Sequence, residues 1–221
     1  MSTRSLPSRA RRAAPAARRP RAKPARRRLA RRRLRLAGLV LAIAAAVAVL
    51  VAPRLDHAVQ EISLPLRHDD IIRQQAEAKA LDPALIAAVI YVESRFRDQT
   101  SPAGAKGLMQ ILPSTADYIA RKSGGTQFVQ GDLATPQINI SYGSWYLRYL
   151  LSHYGGNELL ALAAYNAGEG KVDGWRAEAR LRGERFRVAA HIPFPETRHY
   201  VRRVFDARAS YRRQYAAELG L

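Results

Sequence analysis

The 221-residue sequence contains no cysteine, which excludes a disulfide framework, a thiolate metal site, a cysteine nucleophile and lipid attachment to a thiol. Acidic residues are missing from one end. Residues 1–36 hold 15 of the 37 Lys and Arg residues and none of the 18 Asp and Glu residues. The other 22 basic and 18 acidic residues give residues 37–221 a net charge of only +4. The total charge of +19 therefore comes mainly from the N-terminal segment and does not indicate a nucleic-acid-binding domain.

Residues 1–35 consist mainly of Arg, Ala and Pro and have almost no large apolar side chains. Such a segment buries too little surface to offset its ordering entropy, so we predict that it is a disordered tail. Its arginine blocks at positions 26–28 and 31–33 favour contact with anionic lipid headgroups.

A run of 18 residues from Leu36 to Pro53 contains no charged side chain. As a helix it would span ~27 Å, which is close to the thickness of the hydrocarbon core of a bilayer. It is consistent with a buried core helix, with a signal peptide cleaved near Ala46–Ala48, or with a single transmembrane helix. We favour the transmembrane helix, because the arginine-rich tail would stay in the cytoplasm and residues 54–221 would lie outside. Cleavage would instead give a secreted protein.

The predicted organisation is a cytoplasmic tail over 1–35, a transmembrane helix over 36–53, a linker over 54–68 and a helical domain over 69–221. Within this domain apolar residues recur at helical spacing, and no convincing run of alternating polarity occurs. Caps and breakers predict helices over 70–81, from Pro83 to near Phe96, from Pro113 to Gly124–Gly125, from Pro136 to Gly155–Gly156, from Asn157 to Ala167 and over 196–217. The predicted fold is mostly α, with one compact domain large enough to bury a core.

The stretch from Val92 to Pro113 contains Glu93, the candidate proton donor on which the predicted function depends. Glu93 directly follows the apolar run from Leu85 to Val92. Burial would disfavour the ionised carboxylate and raise its pKa, which suits a proton donor near neutral pH. A single Glu late in an amphipathic helix is usually a solvated side chain, so the neighbouring motifs have to decide between these interpretations.

Three motifs surround this position in the order expected for one family. They are Glu93-Ser94 with SPAGAKGLMQ over 101–110, AYNAG over 164–168 and PETRHYV over 195–201. Together they resemble the lytic transglycosylases with a soluble-lytic-transglycosylase (SLT), lysozyme-like domain, over roughly residues 70–211. The resemblance implies a single lysozyme-like helical domain that cleaves the β-1,4 bond between N-acetylmuramic acid and N-acetylglucosamine in peptidoglycan, without a metal or another cofactor.

The resemblance also implies how the reaction proceeds. Glu93 would protonate the leaving oxygen, the 2-acetamido oxygen of muramic acid would assist at C1, and the 6-hydroxyl would then attack. Glu93, now a carboxylate, would take the hydroxyl proton, which gives a 1,6-anhydromuramoyl end. Ordinary glycosidases use a second carboxylate, and no motif of this sequence supplies one.

Eight further residues form the substrate-binding set that the resemblance implies: Ser94, Ser101, Met109, Gln110, Tyr165, Asn166, Glu196 and Tyr200. Each also admits a plain structural role. Gln110 can hold the acetamido group or bond to the loop backbone, and Met109 can line the cleft or pack in the core. Glu196 can lie near the cleft or stabilise the dipole of the last helix. Sugar rings also stack on aromatic side chains, for which the candidates are Tyr142, Trp145 and Trp175, with core packing the alternative for Trp145.

Two other functions stay open at this point. One is a hydrolytic muramidase on the same fold, and the other is a membrane-tethered protein that binds nucleic acid through its basic tail. The expected partners are peptidoglycan glycan strands and, through Leu36–Pro53, the membrane; we expect no specific nucleic acid, because the charge is confined to the tail.

Overall fold

The structure is a computed structural model that describes residues 63–124 and 129–221, together with Gly38 and Val47, which are helical. The chain divides into two units, Met1–Asp56 and His57–Leu221. The predicted disordered tail and nearly all of the predicted transmembrane helix lie outside the described residues. Within the described part of the chain, no helix is long and apolar enough to cross a membrane.

Nine α-helices and one 3-10 helix make up the described part of the second unit. They are α1 Asp69–Lys79, α2 Pro83–Ser94, α3 Pro113–Ser123, the 3-10 helix Gln130–Ala134, α4 Pro136–His153, α5 Glu158–Ala167, α6 Glu169–Leu181, α7 Val188–His191, α8 Pro195–Gln214 and α9 Ala216–Leu219. No strand occurs over 63–124 or 129–221, where the β-structure is limited to isolated bridges between Thr100 and Lys106 and between Lys106 and Ile111. The mostly α class is therefore confirmed.

Several helix ends follow the capping residues seen in the sequence. The Asp82 carboxylate accepts from the Ala84 amide at 3.0 Å and Pro83 occupies the first turn of α2. The Asn157 side chain accepts from the Leu160 amide at 3.2 Å at the start of α5. Gly124 ends α3 with a φ of 79°, which lies in the left-handed region that favours glycine.

For two helices the predicted C-terminal end is wrong. The second helix ends at Ser94 and not near Phe96, because Arg95 and Phe96 both adopt left-handed backbone conformations, with φ of 53° and 59°. The last helix, predicted as continuous over 196–217, is interrupted at Tyr215, whose φ is −129°, and α9 begins after it.

Helix α2 lies at the centre of the domain. Every residue from Ala84 to Ile90 is buried, and α2 packs most extensively against α8. A helix that is apolar on all faces is a core helix, and each fully buried Leu or Ile contributes roughly 1.5–3 kcal/mol. Replacing Ile86 with Ala should therefore cost about 2–5 kcal/mol of folding free energy. The last turn of this anchored helix carries Glu93.

The segment just before α1 is fixed to the domain by tyrosine hydroxyls. Three consecutive backbone carbonyls each accept one hydroxyl hydrogen bond, from Tyr91 to Ser63 at 2.9 Å, from Tyr215 to Leu64 at 2.8 Å and from Tyr211 to Pro65 at 2.5 Å. Leu64 is buried in the core. This part of the predicted linker therefore packs on the helical domain.

Candidate active site

Glu93 lies in the last turn of α2, half-buried at the edge of the core. Burial is the largest influence on its carboxyl and, with a smaller contribution from the nearby Glu196, raises the pKa of Glu93 to about 7. Tyr200 and Arg203 act in the opposite direction and lower this pKa. A carboxyl with this pKa holds its proton in a substantial fraction of molecules at neutral pH, as a general acid must.

The Glu93 cleft, as we name it, has a volume of about 530 Å³ and is formed by α2, α5 and α8. Its lining residues are Val92, Glu93, Asn166, Glu196, His199, Tyr200 and Arg203. The cleft thus brings together four of the residues predicted from the sequence, which are Glu93, Asn166, Glu196 and Tyr200. His199 and Arg203 were missed, although positions 196, 199, 200 and 203 fall on one face of a helix.

Two tyrosine hydroxyls are buried beside Glu93. The Tyr200 side chain is almost fully buried, and its hydroxyl makes no hydrogen bond of normal geometry with any described residue, although it is near enough to lower the pKa of Glu93. The Tyr165 hydroxyl donates to the Met109 carbonyl at 3.0 Å. Burial and, after it, the nearby Glu93 raise the pKa of both tyrosines, so both hydroxyls stay protonated and can act as donors.

Gln110 lies in the loop between α2 and α3 with a φ of 49°. Its side-chain nitrogen donates to the backbone carbonyls of Gln99 at 3.0 Å and Gly107 at 2.8 Å. The local backbone role that the sequence allowed is therefore present. No residue in the described part of the chain donates to its Oε1 atom, which leaves an acceptor for a ligand N–H.

Asn139 of α4 holds this loop in place from inside the protein. It is fully buried, its Oδ1 accepts from the Met109 amide at 2.8 Å, and its Nδ2 donates to the carbonyls of Lys106 and Leu133, both at 2.9 Å. A Cβ atom on Gly107 would lie 2.1 Å from Asn139 Nδ2, so only glycine fits there. Sequence reasoning missed Asn139, because no local pattern links it to a loop 30 residues away.

The remaining predicted residues make structural contacts in this conformation. The Ser94 hydroxyl is buried and donates to the Ile90 carbonyl at 3.1 Å, and the Ser101 hydroxyl accepts from the Ala105 amide at 3.0 Å. The Met109 side chain has no exposed surface and fills the space beside Gly143, which is the core role that the sequence also allowed. The three aromatic candidates for sugar stacking, Tyr142, Trp145 and Trp175, are all partly buried and pack against the core.

A second depression, which we name the side pocket, adjoins the Glu93 cleft and has a volume of about 350 Å³. Its lining residues are Asn166, Ala167, Lys171, Phe194, Pro195, Glu196 and Thr197. Asn166 and Glu196 line both spaces, so the two are neighbours.

A separate group of side chains consists of Tyr149, His153, Glu169 and Asp173, and we name it the tyrosine–carboxylate cluster. Three of its members, His153, Glu169 and Asp173, form the one group among the described residues whose atoms are close enough together to hold a metal ion. The Nδ1 of His153 lies 3.5 Å from Glu169 and its Nε2 lies 3.3 Å from Asp173, while the Tyr149 hydroxyl donates to Glu169 at 3.1 Å. Each ring nitrogen faces a different carboxylate, whereas a metal ion takes one nitrogen of a histidine. The geometry is that of a hydrogen-bonded cluster, and we assign no metal to it.

Comparison with known proteins agrees with this geometry. The family model of the transglycosylase SLT domain matches residues 70–186. The soluble lytic murein transglycosylase of Escherichia coli is 34% identical over 154 residues, which cover 69% of this chain and 24% of that protein. Membrane-bound lytic murein transglycosylase C of Actinobacillus pleuropneumoniae is 32% identical over 163 residues, covering 64% of this chain and 44% of that protein.

A solved structure shows the same relationship. The lytic transglycosylase Slt of Pseudomonas aeruginosa, crystallised as an inactive Glu-to-Gln mutant, superimposes with a TM-score of 0.64 at 35% identity, covering 72% of this chain and 26% of that chain. This chain thus spans about a quarter of the length of the soluble relatives that it matches.

Proposed function

Because this chain belongs to the family of transglycosylase SLT domains, we propose that it is a lytic transglycosylase that cleaves the β-1,4 bond between N-acetylmuramic acid and N-acetylglucosamine. The observation that carries the proposal is the environment of the Glu93 carboxyl. Burial raises its pKa to about 7, and it lies in a cleft lined by residues of the family's motifs. The names of the relatives support the substrate class. The mutant of the Pseudomonas neighbour that carries one Glu-to-Gln substitution is, moreover, inactive.

In the first step, protonated Glu93 donates its proton to the glycosidic oxygen as the C1–O bond breaks. Since the pKa of this carboxyl is about 7, both its protonated and its ionised form are populated at neutral pH. That balance suits one residue that first acts as an acid and then as a base. Tyr165 and Tyr200 are buried beside the carboxyl and exclude water from it.

In the second step, the acetamido carbonyl oxygen of muramic acid forms a bond to C1 and stabilises the positive charge left there. Gln110 can accept from the acetamido N–H through Oε1, because its nitrogen is already engaged by the loop backbone. The 6-hydroxyl oxygen then attacks C1 and releases the acetamido oxygen, and the Glu93 carboxylate takes the hydroxyl proton. The 1,6-anhydromuramoyl end forms and no water is consumed.

Hydrolysis by a muramidase on the same fold is the second candidate, and one observation favours it. Glu196 lines the same cleft as Glu93 and is exposed there, so a second carboxylate is available to activate a water molecule. The sequence analysis allowed Glu196 a place near the cleft but did not assign it as a second carboxylate.

Product analysis separates the two candidates. The full-length protein would digest purified glycan strands in water enriched in oxygen-18, and the products would be weighed by mass spectrometry. Transglycosylation predicts anhydro ends without oxygen-18, and it predicts that Glu196→Gln still forms them. Reducing muramic acid ends labelled with oxygen-18, lost in Glu196→Gln, would establish hydrolysis instead.

We also propose that Leu36–Pro53 anchors the protein in the cell membrane, with residues 54–221 on the outer side. The support is the uncharged run beside an arginine-rich tail, together with the membrane-bound relative. Cell fractionation with N-terminal sequencing tests this: we expect the full chain in the membrane fraction. A soluble form that begins near Val49 would show that the segment is a cleaved signal peptide.

A further inference from the structure

We propose that the far end of helix α6 binds the surface of an anionic lipid bilayer. This surface, which we name the basic tip, consists of residues 180–187, with the sequence RLRGERFR. The inference rests on the proposed membrane anchor, since a domain tethered to a bilayer meets its surface at a high effective concentration. It assigns to the helical domain a membrane contact of its own, separate from the cleft that takes the glycan.

Charge is the first argument. The basic tip holds four arginines and one glutamate, and all five are exposed. Arg180, Arg185 and Arg187 make no ion pair with any described residue, and the fourth arginine pairs with a carboxylate one turn earlier on α6. The glutamate, Glu184, is already engaged by the buried ring of His191, whose Nε2 lies 2.6 Å away. The arginines that are left without a partner attract an anionic surface.

An exposed leucine is the second argument, and it distinguishes a bilayer from other anionic partners. Leu181 lies between Arg180 and Arg182 and is 87% exposed, the largest exposed fraction of any large apolar side chain among the described residues. Such a group matches the boundary between headgroups and acyl chains, where the arginines meet phosphates and the leucine leaves water. An acidic polymer of the cell wall would supply the charges but no apolar layer.

Position in the fold is the third argument. Helix α6 begins at Glu169, just after the cleft residue Asn166, and ends at Leu181. Its 13 residues extend over ~20 Å, so the basic tip lies at the end of α6 that points away from the cleft. The amides of Gly183 and Glu184 bond to carbonyls of the last helical turn, so the tip has a defined backbone. A bilayer bound there leaves the cleft free for a glycan strand.

The test places a fluorophore at the basic tip. The chain contains no cysteine, so a single introduced cysteine carries an environment-sensitive label at one chosen position. The labelled full-length proteins are Leu181→Cys and, as the matched control, Leu221→Cys, which replaces another exposed leucine after α9, a helix that packs on α1 and α8. Each protein is reconstituted into vesicles of phosphatidylcholine and into vesicles that also contain phosphatidylglycerol.

We expect the emission of the label at position 181 to move to shorter wavelength in the anionic vesicles, and to move little in the neutral ones. The label at position 221 should give the same emission in both. High salt should reverse the shift at position 181, because exposed charges are screened.

Charge reversal sharpens the test. Arg180→Glu combined with Arg185→Glu should lower the ratio of bound to free tip by at least about 25-fold, since each arginine near an anionic surface contributes about five-fold. The matched control is Arg121→Glu combined with Lys122→Glu, which makes the same change in net charge at the exposed end of α3. This control should leave the emission of the label at position 181 unchanged.

Three results would overturn the inference. One is the same emission at position 181 in neutral and anionic vesicles, and another is an equal shift at positions 181 and 221. The third is a shift produced by purified glycan strands and not by vesicles, which would assign the basic tip to the cell wall. Failure of the proposed anchor looks different, because the full chain would then separate from neutral vesicles at high salt. The labels at positions 181 and 221 still decide the inference in that case, with the chain added to preformed anionic vesicles.

Discussion

The Glu93 cleft and the tyrosine–carboxylate cluster both gather titratable side chains, but they treat a carboxylate in opposite ways. Glu169 in the cluster accepts a hydrogen bond from Tyr149 at 3.1 Å and lies 3.5 Å from the ring of His153, so its charge has partners. Glu93 stands at the end of an apolar helix, where burial outweighs Tyr200 and Arg203 and raises the pKa to about 7. The difference teaches that densely grouped charges stabilise one another at the surface, whereas an under-solvated single carboxyl is the better candidate for a catalytic role.

The largest expected effect is on cleavage by two matched substitutions. Glu93→Gln keeps the shape of the side chain but cannot donate a proton, so kcat should fall by about 10²–10⁴-fold. Glu169→Gln makes the same chemical change in the cluster and should leave kcat within about two-fold of wild type. The assay is the rate of formation of anhydromuramoyl ends. More than a tenth of wild-type activity in Glu93→Gln would show that Glu93 is not the acid.

The next effect is on stability and its dependence on pH. In the unfolded chain the Glu93 carboxyl ionises near its ordinary pKa of 4.5, whereas in the folded protein it keeps its proton up to about pH 7. The folded state thus binds more protons between these two values, so wild-type stability falls as the pH rises through this window. Glu93→Gln escapes this loss and should be more stable than wild type by about 2–3 kcal/mol near pH 8, with little difference near pH 4.

Urea unfolding of wild type and Glu93→Gln at several pH values measures this difference. The same comparison with Glu169→Gln is the control, because Glu169 accepts a hydrogen bond from Tyr149 and lies beside the His153 ring. A Glu93→Gln protein whose advantage does not grow with pH would contradict the burial of an ionisable carboxyl at this position.

A smaller effect is expected from removing one tyrosine hydroxyl in each region. Tyr165→Phe loses the 3.0 Å bond to the Met109 carbonyl, which belongs to the loop that carries Gln110. Loss of one such bond corresponds to about 0.5–1.5 kcal/mol, and we expect it as a fall in kcat of roughly 2- to 12-fold. Tyr149→Phe removes the bond to Glu169 and should leave kcat unchanged. Equal losses in both variants would remove the distinction between the two regions.

The smallest effect concerns the cluster itself. His153→Ala removes the ring that lies between Glu169 and Asp173, at 3.5 and 3.3 Å. These groups are partly exposed, so the free energy of unfolding should change by less than about 1 kcal/mol. Addition of zinc or calcium should not raise the melting temperature of wild type. A metal-dependent rise that is absent in His153→Ala would reveal a metal site where we assign none.

The sequence predicted those parts of the fold that depend on local chemistry. Asp82-Pro83 and Asn157 are caps whose effect extends over one turn, and the starts of the two helices that follow them were placed correctly. Helix α6 was not predicted, because Gly170 and Gly174 weaken its propensity and its formation depends on packing against its neighbours. Boundaries set by backbone conformation, such as the one at Arg95, had no signature in the sequence.

The same division holds for the candidate site. Glu93, Asn166, Glu196 and Tyr200 were chosen through motifs, and the fold brings them to one cleft. Asn139 was not chosen, because its importance arises from contacts across the fold with the Gln110 loop. Motifs name residues that line the cleft, while residues that hold its loops in place appear only in three dimensions.

The most direct test of the account is a titration of the Glu93 carboxyl itself. Carbon-13 NMR of the side-chain carboxyl groups of Glu, with the Glu93→Gln protein used to assign the signal, reports its protonation as the pH changes. The account predicts a midpoint at about pH 7, as burial at the end of α2 requires. A midpoint near the ordinary value of 4.5 would contradict it, because Glu93 would then be ionised at neutral pH and could not act as the proton donor.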